Sequence, residues 1–552
     1  MACYAIGLDF GSLSGRALLV NLETGAEVAT SVFEYPHGVM DKALPCGKKL
    51  GENYALQHPQ DYLDVLSTTI PDVIKQAKIT AEEIIGVGVD FTACTVLPVK
   101  TDGTPLCFLE EYKEEPHAYV KLWKHHAAQK YADQMNKIAF ERKEEFLKDY
   151  GGKLSSEWLF PKICEVACEA PYLYKQADKF MEACDWIVWQ MTNVETRNSC
   201  AAGYKATWNK KRGFPSNDFL KEVNPLLEHV VDDKLSRTIT PVGSKAGELT
   251  KRAALLTGLK EGTTVTVGNI DGHAAVPAVG VTDANKMMMI IGTSSCHMLL
   301  SKEEKRIPGI CGVVQDGILP EYYGYEAGQC CVGDHFDWFV KNCVPEQYRL
   351  DAKAKGVGIH SYLREKAKAL AVGESGLVAL DWWNGNRSVL VDADLTGMIV
   401  GMNLGTKPEE IYRALIEATA FGTRMIIENY ENGGLSVDEM YACGGIARKD
   451  DLLMQIYADV TKRVIKVSAS DQTAALGSAM FGAVAAGYFK SFKEASDKLV
   501  KLEEKSYQPN LADAKIYDEL FYEYQILHDY FGRGGNDVMK RLKAIKTKAA
   551  SV

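Results

Sequence analysis

The chain lacks the features that mark several common classes. Its fourteen cysteines include no Cys-x-x-Cys pair, only singles, the doublet Cys330-Cys331 and Cys164-x-x-x-Cys168, so no structural zinc site is expected. No apolar run approaches the ~20 residues of a membrane span, and Asp9 interrupts the first apolar stretch, so no signal peptide is expected either. Basic residues are not in excess. Against 63 Lys and Arg stand 73 Asp and Glu, a net charge of −10, which argues against nucleic acid as the main partner. No low-complexity segment is present. Gly401-Met402-Asn403-Leu404-Gly405-Thr406-Lys407 has the wrong spacing for a phosphate loop, and no Gly-x-Ser-x-Gly elbow stands out. Reduced thiols in a cytoplasmic enzyme is the plain reading.

What is present is a duplicated pattern. Ile6-Gly7-Leu8-Asp9-Phe10-Gly11-Ser12-Leu13-Ser14-Gly15-Arg16 matches Met287-Met288-Met289-Ile290-Ile291-Gly292-Thr293-Ser294-Ser295-Cys296-His297. Each is an apolar strand, a Gly and hydroxyl tip, and a second strand. Gly11 falls on Gly292, Ser12 on Thr293, Ser14 on Ser295, and Leu18-Leu19 on Leu299-Leu300. Such a tip offers backbone N–H groups and a hydroxyl to an anion with no Cβ in the way. Two tips facing each other would hold a polyphosphate from both sides, which suggests a two-lobed nucleotide enzyme. The 552 residues suffice for two large lobes.

Strands are expected near 4–10, 16–22 and 26–34, then a long loop over 36–57, a helix from Pro59 to about 77 and a buried strand over Ile84–Asp90. Residues 108–190 read as helix-rich, with Trp and Tyr throughout. Gly262–Gly268 reads as a strand ending at Asn269-Ile270-Asp271-Gly272, and 280–286 as the crossing into the second lobe. Thr406-Lys407-Pro408-Glu409 reads as a capping box with Pro at the first helical position. Met440–Cys443, a helix over about 451–462, Arg463–Val467 and a helix over Thr473–Gly487 follow. The basic residues Lys540, Arg541, Lys543, Lys546 and Lys548 read as a solvated tail.

Several residues are candidates for chemistry. Asp9 ends the first strand beside the Gly11 tip; next to a polyphosphate it would hold Mg²⁺, and otherwise it is an outward carboxylate. Asp271, at a strand-to-helix junction, is a candidate general base for an attacking hydroxyl or else a helix cap. His273 is its rival. Asp90 sits at the C-terminal end of a strand, where ligands gather in α/β sheets, or braces its loop. Gly444-Gly445, between strand and helix, would let a nucleoside lie against backbone, or form an ordinary tight turn. The Ala, Gly and Ser residues of 473–487 would suit an inter-lobe contact or tight packing within one lobe.

These features resemble the actin, Hsp70 and sugar-kinase superfamily, and within it the FGGY carbohydrate kinases. The likeness is strongest to those acting on L-ribulose. It is carried by Tyr35-Pro36-His37-Gly38-Val39-Met40-Asp41, Ala55-Leu56-Gln57-His58-Pro59, Val87-Gly88-Val89-Asp90-Phe91-Thr92, Ser155-Ser156-Glu157-Trp158, Ala201-Ala202-Gly203-Tyr204-Lys205-Ala206-Thr207-Trp208, Asp381-Trp382-Trp383-Asn384-Gly385-Asn386-Arg387-Ser388 and Tyr441-Ala442-Cys443-Gly444-Gly445-Ile446-Ala447. The resemblance implies an α/β fold of two ribonuclease-H-like lobes with the site in the cleft. The lobes would span 1–282 and 283–500, with a helical extension over 501–552.

The resemblance further implies ATP and Mg²⁺ as cofactors, Asp9 for the metal and Asp271 as base. Gly11, Ser12, Ser14, Arg16, Gly292 and Thr293 would meet the phosphates. Gly444 and Gly445 would face the nucleotide, and Ala93, Lys205 and Glu326 would line the sugar pocket with Asp90 near by. Cys443 stands where many members have Gly, and Asp450 where they have an amide. The expected activity is ATP-dependent phosphorylation of L-ribulose on its 5-hydroxyl. The alternatives are a kinase for D-ribulose, xylulose or ribitol, or an actin- or Hsp70-like conformational protein. A homodimer is expected, with no nucleic-acid or membrane partner.

Overall fold

The computed structural model describes residues 3–550. Two sheets of the same plan carry the duplicated pattern. In the first, Tyr4–Phe10 pairs antiparallel with Ser14–Asn21, which pairs antiparallel with Ala26–Glu34. On its other side Tyr4–Phe10 runs parallel to Ile84–Phe91, which runs parallel to Thr264–Thr266 and to the short Asn269–Ile270. In the second, Lys286–Ile291 pairs antiparallel with Ser295–Ser301, then Tyr323–Gln329 and Gly312–Gln315; its other neighbour is the parallel Glu439–Cys443, followed by Ile465–Val467. Tyr4–Phe10 is buried along its length apart from Asp9, as a central strand covered on both faces should be.

The two tips are not identical. Phe10 pairs with Gly15 and Gly11 N–H bonds to Ser14 O, whereas Ile291 pairs with Ser295 and Gly292 N–H bonds to Ser294 O. The second tip is one residue shorter, so the sequence match holds through Gly292 and slips by one beyond it. Ser295 therefore corresponds to Gly15 rather than Ser14, and Leu299 to Leu19.

Helix Pro59–Ala77 begins as expected, with His58 Nδ1 accepting from Gln60 N–H at 3.2 Å. The 36–57 segment is mostly loop, closed by bridges such as Met40 to Leu56 and ending in the short strand Leu56–Gln57. Residues 108–190 hold the helices Gln129–Glu141, Leu159–Glu169, Pro171–Gln176 and Ala183–Thr192, but also the strands Val120–Lys121 and Lys179–Glu182 of a small side sheet. Pro408 opens helix Pro408–Asn432, yet the cap is Lys407 and not Thr406. Lys407 N–H bonds to Glu410 Oε2 at 2.5 Å, while the Thr406 hydroxyl instead accepts from Asn403 N–H.

Helix Thr473–Ala485, from the second half of the chain, lies against the first sheet. A Cβ on Gly88 would sit 1.8 Å from Ser478 O, and one on Gly7 1.7 Å from Ala475 O. The small residues thus serve a backbone-to-backbone approach between the two halves. The C-terminal extension is docked through helix Leu511–Gly532, while the basic run beyond it stays exposed, as expected. Tyr517, Phe521 and Tyr524 of helix Leu511–Gly532 are buried in the second lobe's core, and Tyr524 Oη–H donates to Asp381. Lys540 and Lys543, in helix Val538–Ala550, pair with Asp392 and Asp394 at 2.7 and 2.6 Å. Among the described residues no helix is long and apolar enough to cross a membrane.

Candidate active site

Three acids stand at the C-terminal ends of neighbouring parallel strands. Asp9 and Asp90 are direct cross-strand partners, Asn269 pairs with Asp90 on the other side, and Asp271 follows two residues later. Burial raises all three carboxyls, and each feels another acid. Asp271 is pushed up to about 7 by burial and then by Asp9. Asp90 is raised well above the usual carboxylate range by burial and then by Asp9. Asp9 is raised by burial, partly offset by Arg16 at 3.3 Å. Three carboxyls crowded this way favour a bound cation or shared protons.

Asp271 and Ala93 line a cavity of about 610 Å³ between the lobes. The loop carrying Ala93 is pinned from beneath. Cys94 takes φ 56°, and its carbonyl accepts from the buried Lys162 Nζ at 2.5 Å. Lys205 and Glu326 also line the cavity, joined at 2.9 and 3.1 Å. Burial opposes the charge on both, but each outweighs it for the other, holding Lys205 above and Glu326 below their usual ranges. They come from opposite lobes, on helix Ser199–Lys205 and strand Tyr323–Gln329. His273 lies on the Tyr204 ring with Nε2 3.4 Å from Glu326. Burial lowers its pKa, so it is a poor rival to Asp271 as base.

Asp90 takes a bracing position at its strand end. It does not line the cavity. It is fully buried, with Oδ2 accepting from Ser478 Oγ–H at 2.6 Å. The phosphate candidates do not line the cavity either, but their tips stand at its edge. Trp123, a lining residue, donates Nε1–H to Ser12 Oγ at 3.0 Å, and Ser294 of the second tip lines the cavity itself. Gln57 fixes the first tip by donating to Ser12 O at 2.8 Å. Ser14 continues into the second strand of its hairpin. At the second tip, Val332 N–H bonds to the carbonyl of the exposed Thr293, and Gly333 N–H to Gly292 O.

Gly444 takes φ 98° with its position against Ile291 O, where a Cβ would lie at 2.5 Å, while Gly445 faces open space. The second tip and the Gly-Gly turn are therefore neighbours. Arg16 is engaged with Asp9 rather than pointing free.

Four residues that sequence reasoning left without a role belong to this site. Trp123, Glu157 and Arg387 line the cavity, and Lys162 holds its floor. Arg387 lies in a polar Asn-Gly-Asn-Arg loop, the kind of segment that carries function on a rigid scaffold. Among the described residues one further cluster has metal-ligand composition: His117, Glu165 and Glu169. Lys121 Nζ already lies 3.0 Å from Glu165 and 3.1 Å from His117, so its counter-charge is internal.

Residues 4–278 match the N-terminal domain of the FGGY family of carbohydrate kinases, and residues 287–486 match its C-terminal domain. The chain is 56% identical over 539 residues to a ribulokinase of Bacillus licheniformis, covering 97% of this chain and 98% of that protein. It is 46% identical over 548 residues to a ribulokinase of Mycolicibacterium smegmatis, covering 99% and 97%. Among solved structures, a xylulose kinase from Rhodospirillum rubrum superposes with a TM-score of 0.79 at 20% identity, covering 95% of this chain and 98% of that one. A Plasmodium falciparum glycerol kinase with ADP gives 0.75 at 14%, covering 96% and 98%. With both halves of the family pattern matched along one polypeptide, this chain belongs to the FGGY family of carbohydrate kinases.

Proposed function

We propose that this chain transfers the γ-phosphoryl group of MgATP to the 5-hydroxyl of L-ribulose. The observation that carries the reading is Asp271, a carboxyl poised near neutrality in a cavity it shares with the Lys205–Glu326 pair. The relatives named ribulokinase, matched over nearly the whole chain, support the choice of sugar.

A sugar hydroxyl is a weak nucleophile. Asp271 accepts its proton late in transfer, as the oxygen bonds to phosphorus and the bridging oxygen leaves with ADP. Lys205 and Glu326 anchor sugar oxygens, and the loop at Ala93 walls the pocket. The Gly11–Ser14 tip with Arg16 and the Gly292-Thr293 tip take the phosphates from the two sides; Gly444 and Gly445 bear the nucleoside. The crowded carboxyls around Asp9 suit Mg²⁺, with Asp9 as its ligand and Asp90 behind it. The metal would supply positive charge to the phosphoryl oxygens. Closure of the lobes excludes the water that would otherwise take the phosphoryl group.

We take residues 1–282 as the sugar-side lobe, 283–500 as the nucleotide-side lobe and 501–552 as an extension of the latter. Cysteines held as thiols suit a reducing cytoplasm, and a homodimer is the expected assembly.

A coupled assay of ADP release against ketopentoses and pentitols tests the function. Turnover with L-ribulose well above that with D-ribulose, xylulose and ribitol supports it. Higher turnover with another of these reassigns the substrate, and ADP release indifferent to sugar would point to an actin- or Hsp70-like protein.

A further inference from the structure

Arg387 is a half-buried guanidinium with no carboxylate within ion-pair distance among the described residues. A guanidinium carries five N–H donors. Its contacts here are thiols: Nη1 lies 3.8 Å from Cys296 Sγ, and Cys330 is also within hydrogen-bonding reach. Thiols are weak acceptors, so these contacts use the guanidinium's donors poorly. Glu157 lines the same cavity and exerts only a weaker pull.

The side chain lies over Gly328, where a Cβ would stand 2.6 Å from Ser295 O and 3.3 Å from Arg387 Cδ and Nη1. Gly328 and Glu326 share one face of strand Tyr323–Gln329, about 7 Å apart along it. Across the ladder Gly328 pairs with Cys296, two residues beyond Ser294 of the second tip. By this register Arg387 sits between the Lys205–Glu326 pair and the second tip.

We propose that Arg387 is a phosphoryl-binding residue, whose guanidinium takes the non-bridging oxygens of the group in transfer and holds it once it is on the sugar. Planar paired donors suit phosphoryl oxygens. The inference rests on the kinase reading above. The step moves no proton through Arg387; the bond from phosphorus to the ADP oxygen breaks as that to the sugar oxygen forms.

The test compares wild type with Arg387→Met and Arg387→Lys, each first checked for a native melting transition. Arg387→Met is expected to lower kcat/KM on the order of 10²- to 10³-fold with KM for unphosphorylated L-ribulose changed less than about threefold. Arg387→Lys is expected to recover part of that loss. Weakened inhibition by L-ribulose 5-phosphate with unchanged KM for ATP places the contact on the sugar phosphate. A raised KM for ATP with unchanged inhibition places it on the nucleotide. Both unchanged, or lost binding of the unphosphorylated sugar, overturns the proposal.

If wild type phosphorylates no ketopentose, the kinase reading fails separately. Inorganic phosphate, followed by tryptophan fluorescence, then decides. Binding at least about tenfold weaker in Arg387→Met upholds the residue's role. Equal binding, or none in wild type, overturns it. If Arg387→Met does not melt cooperatively, Arg387→Lys carries the same comparison, with a smaller shift expected and no shift overturning the proposal.

Discussion

Ser478 Oγ–H donates a 2.6 Å hydrogen bond to Asp90 Oδ2 across 388 positions of chain. The bond joins a helix of the second half to the strand end that carries the acid cluster of the first. It forms because Gly88, two residues before Asp90 and on the same face, lets the helix backbone come within contact of the sheet.

Ser478→Ala removes the hydroxyl that donates to the buried Asp90 Oδ2. A loss of about 1–3 kcal/mol is expected, read by urea denaturation. A variant as stable as wild type would mean that the bond contributes nothing.

Gly88→Ala places a methyl where Ser478 O now sits, so helix Thr473–Ala485 must move off the sheet. We expect a cost of about 3 kcal/mol or more, or failure to fold. Gly445→Ala meets nothing within 4 Å and is expected to melt like wild type, with KM for ATP raised roughly tenfold, about 1.4 kcal/mol. Equal melting temperatures for the two variants would contradict the packing described here.

Asp271→Asn is expected to fold normally and to lower kcat on the order of 10²- to 10⁴-fold. In wild type the base works only when ionised, so kcat/KM should rise with pH, falling about tenfold per unit below its apparent pKa near 7. Wild-type-like turnover in the variant would end the assignment.

Stability should also report on Asp271. Its carboxyl rises from 3.8 unfolded to about 7 folded, so the folded protein keeps a proton that the unfolded chain has lost. That contribution is complete below the unfolded value and disappears as pH climbs through about 7. Wild type should therefore lose stability relative to Asp271→Asn between pH 5 and pH 8. Parallel curves from denaturation at both values would show that the shift is absent.

Lys205→Met leaves Glu326 with only His273 beside it. KM for the sugar is expected to rise by at least about tenfold, and folding to weaken by about 3 kcal/mol because a buried carboxylate loses its cation. An unchanged sugar KM would remove Lys205 from the pocket.

Much of the site could be read from local chemistry. Asp9, Gly11, Asp271, Gly292 and Gly444 lie at strand ends and turns, where residue type constrains the backbone strongly. The start of helix Pro408–Asn432 was legible to within one residue because proline fits only its first turn. The slip after Gly292 was not legible, since a tip of three or four small residues presents nearly the same composition. Asp90 could be read as a cleft residue or as a brace; its partner Ser478 lies too far along the chain for spacing to pair them. The basic C-terminal run was legible as solvated, and its cations do stay exposed; that Asp392 and Asp394 would face Lys540 and Lys543 was not legible, because charge alone does not place a counter-charge.

The amino-acid order by itself determined the two strand–tip–strand units, the acids beside them and the small-residue helix, because backbone geometry and hydrophobic periodicity act over a few neighbouring residues. Tertiary structure alone decided that this helix crosses to the first sheet, that Asp90 is sealed against Ser478, and that Arg387 stands among thiols over Gly328. Those outcomes depend on close packing and desolvation between segments hundreds of residues apart, which no local pattern encodes.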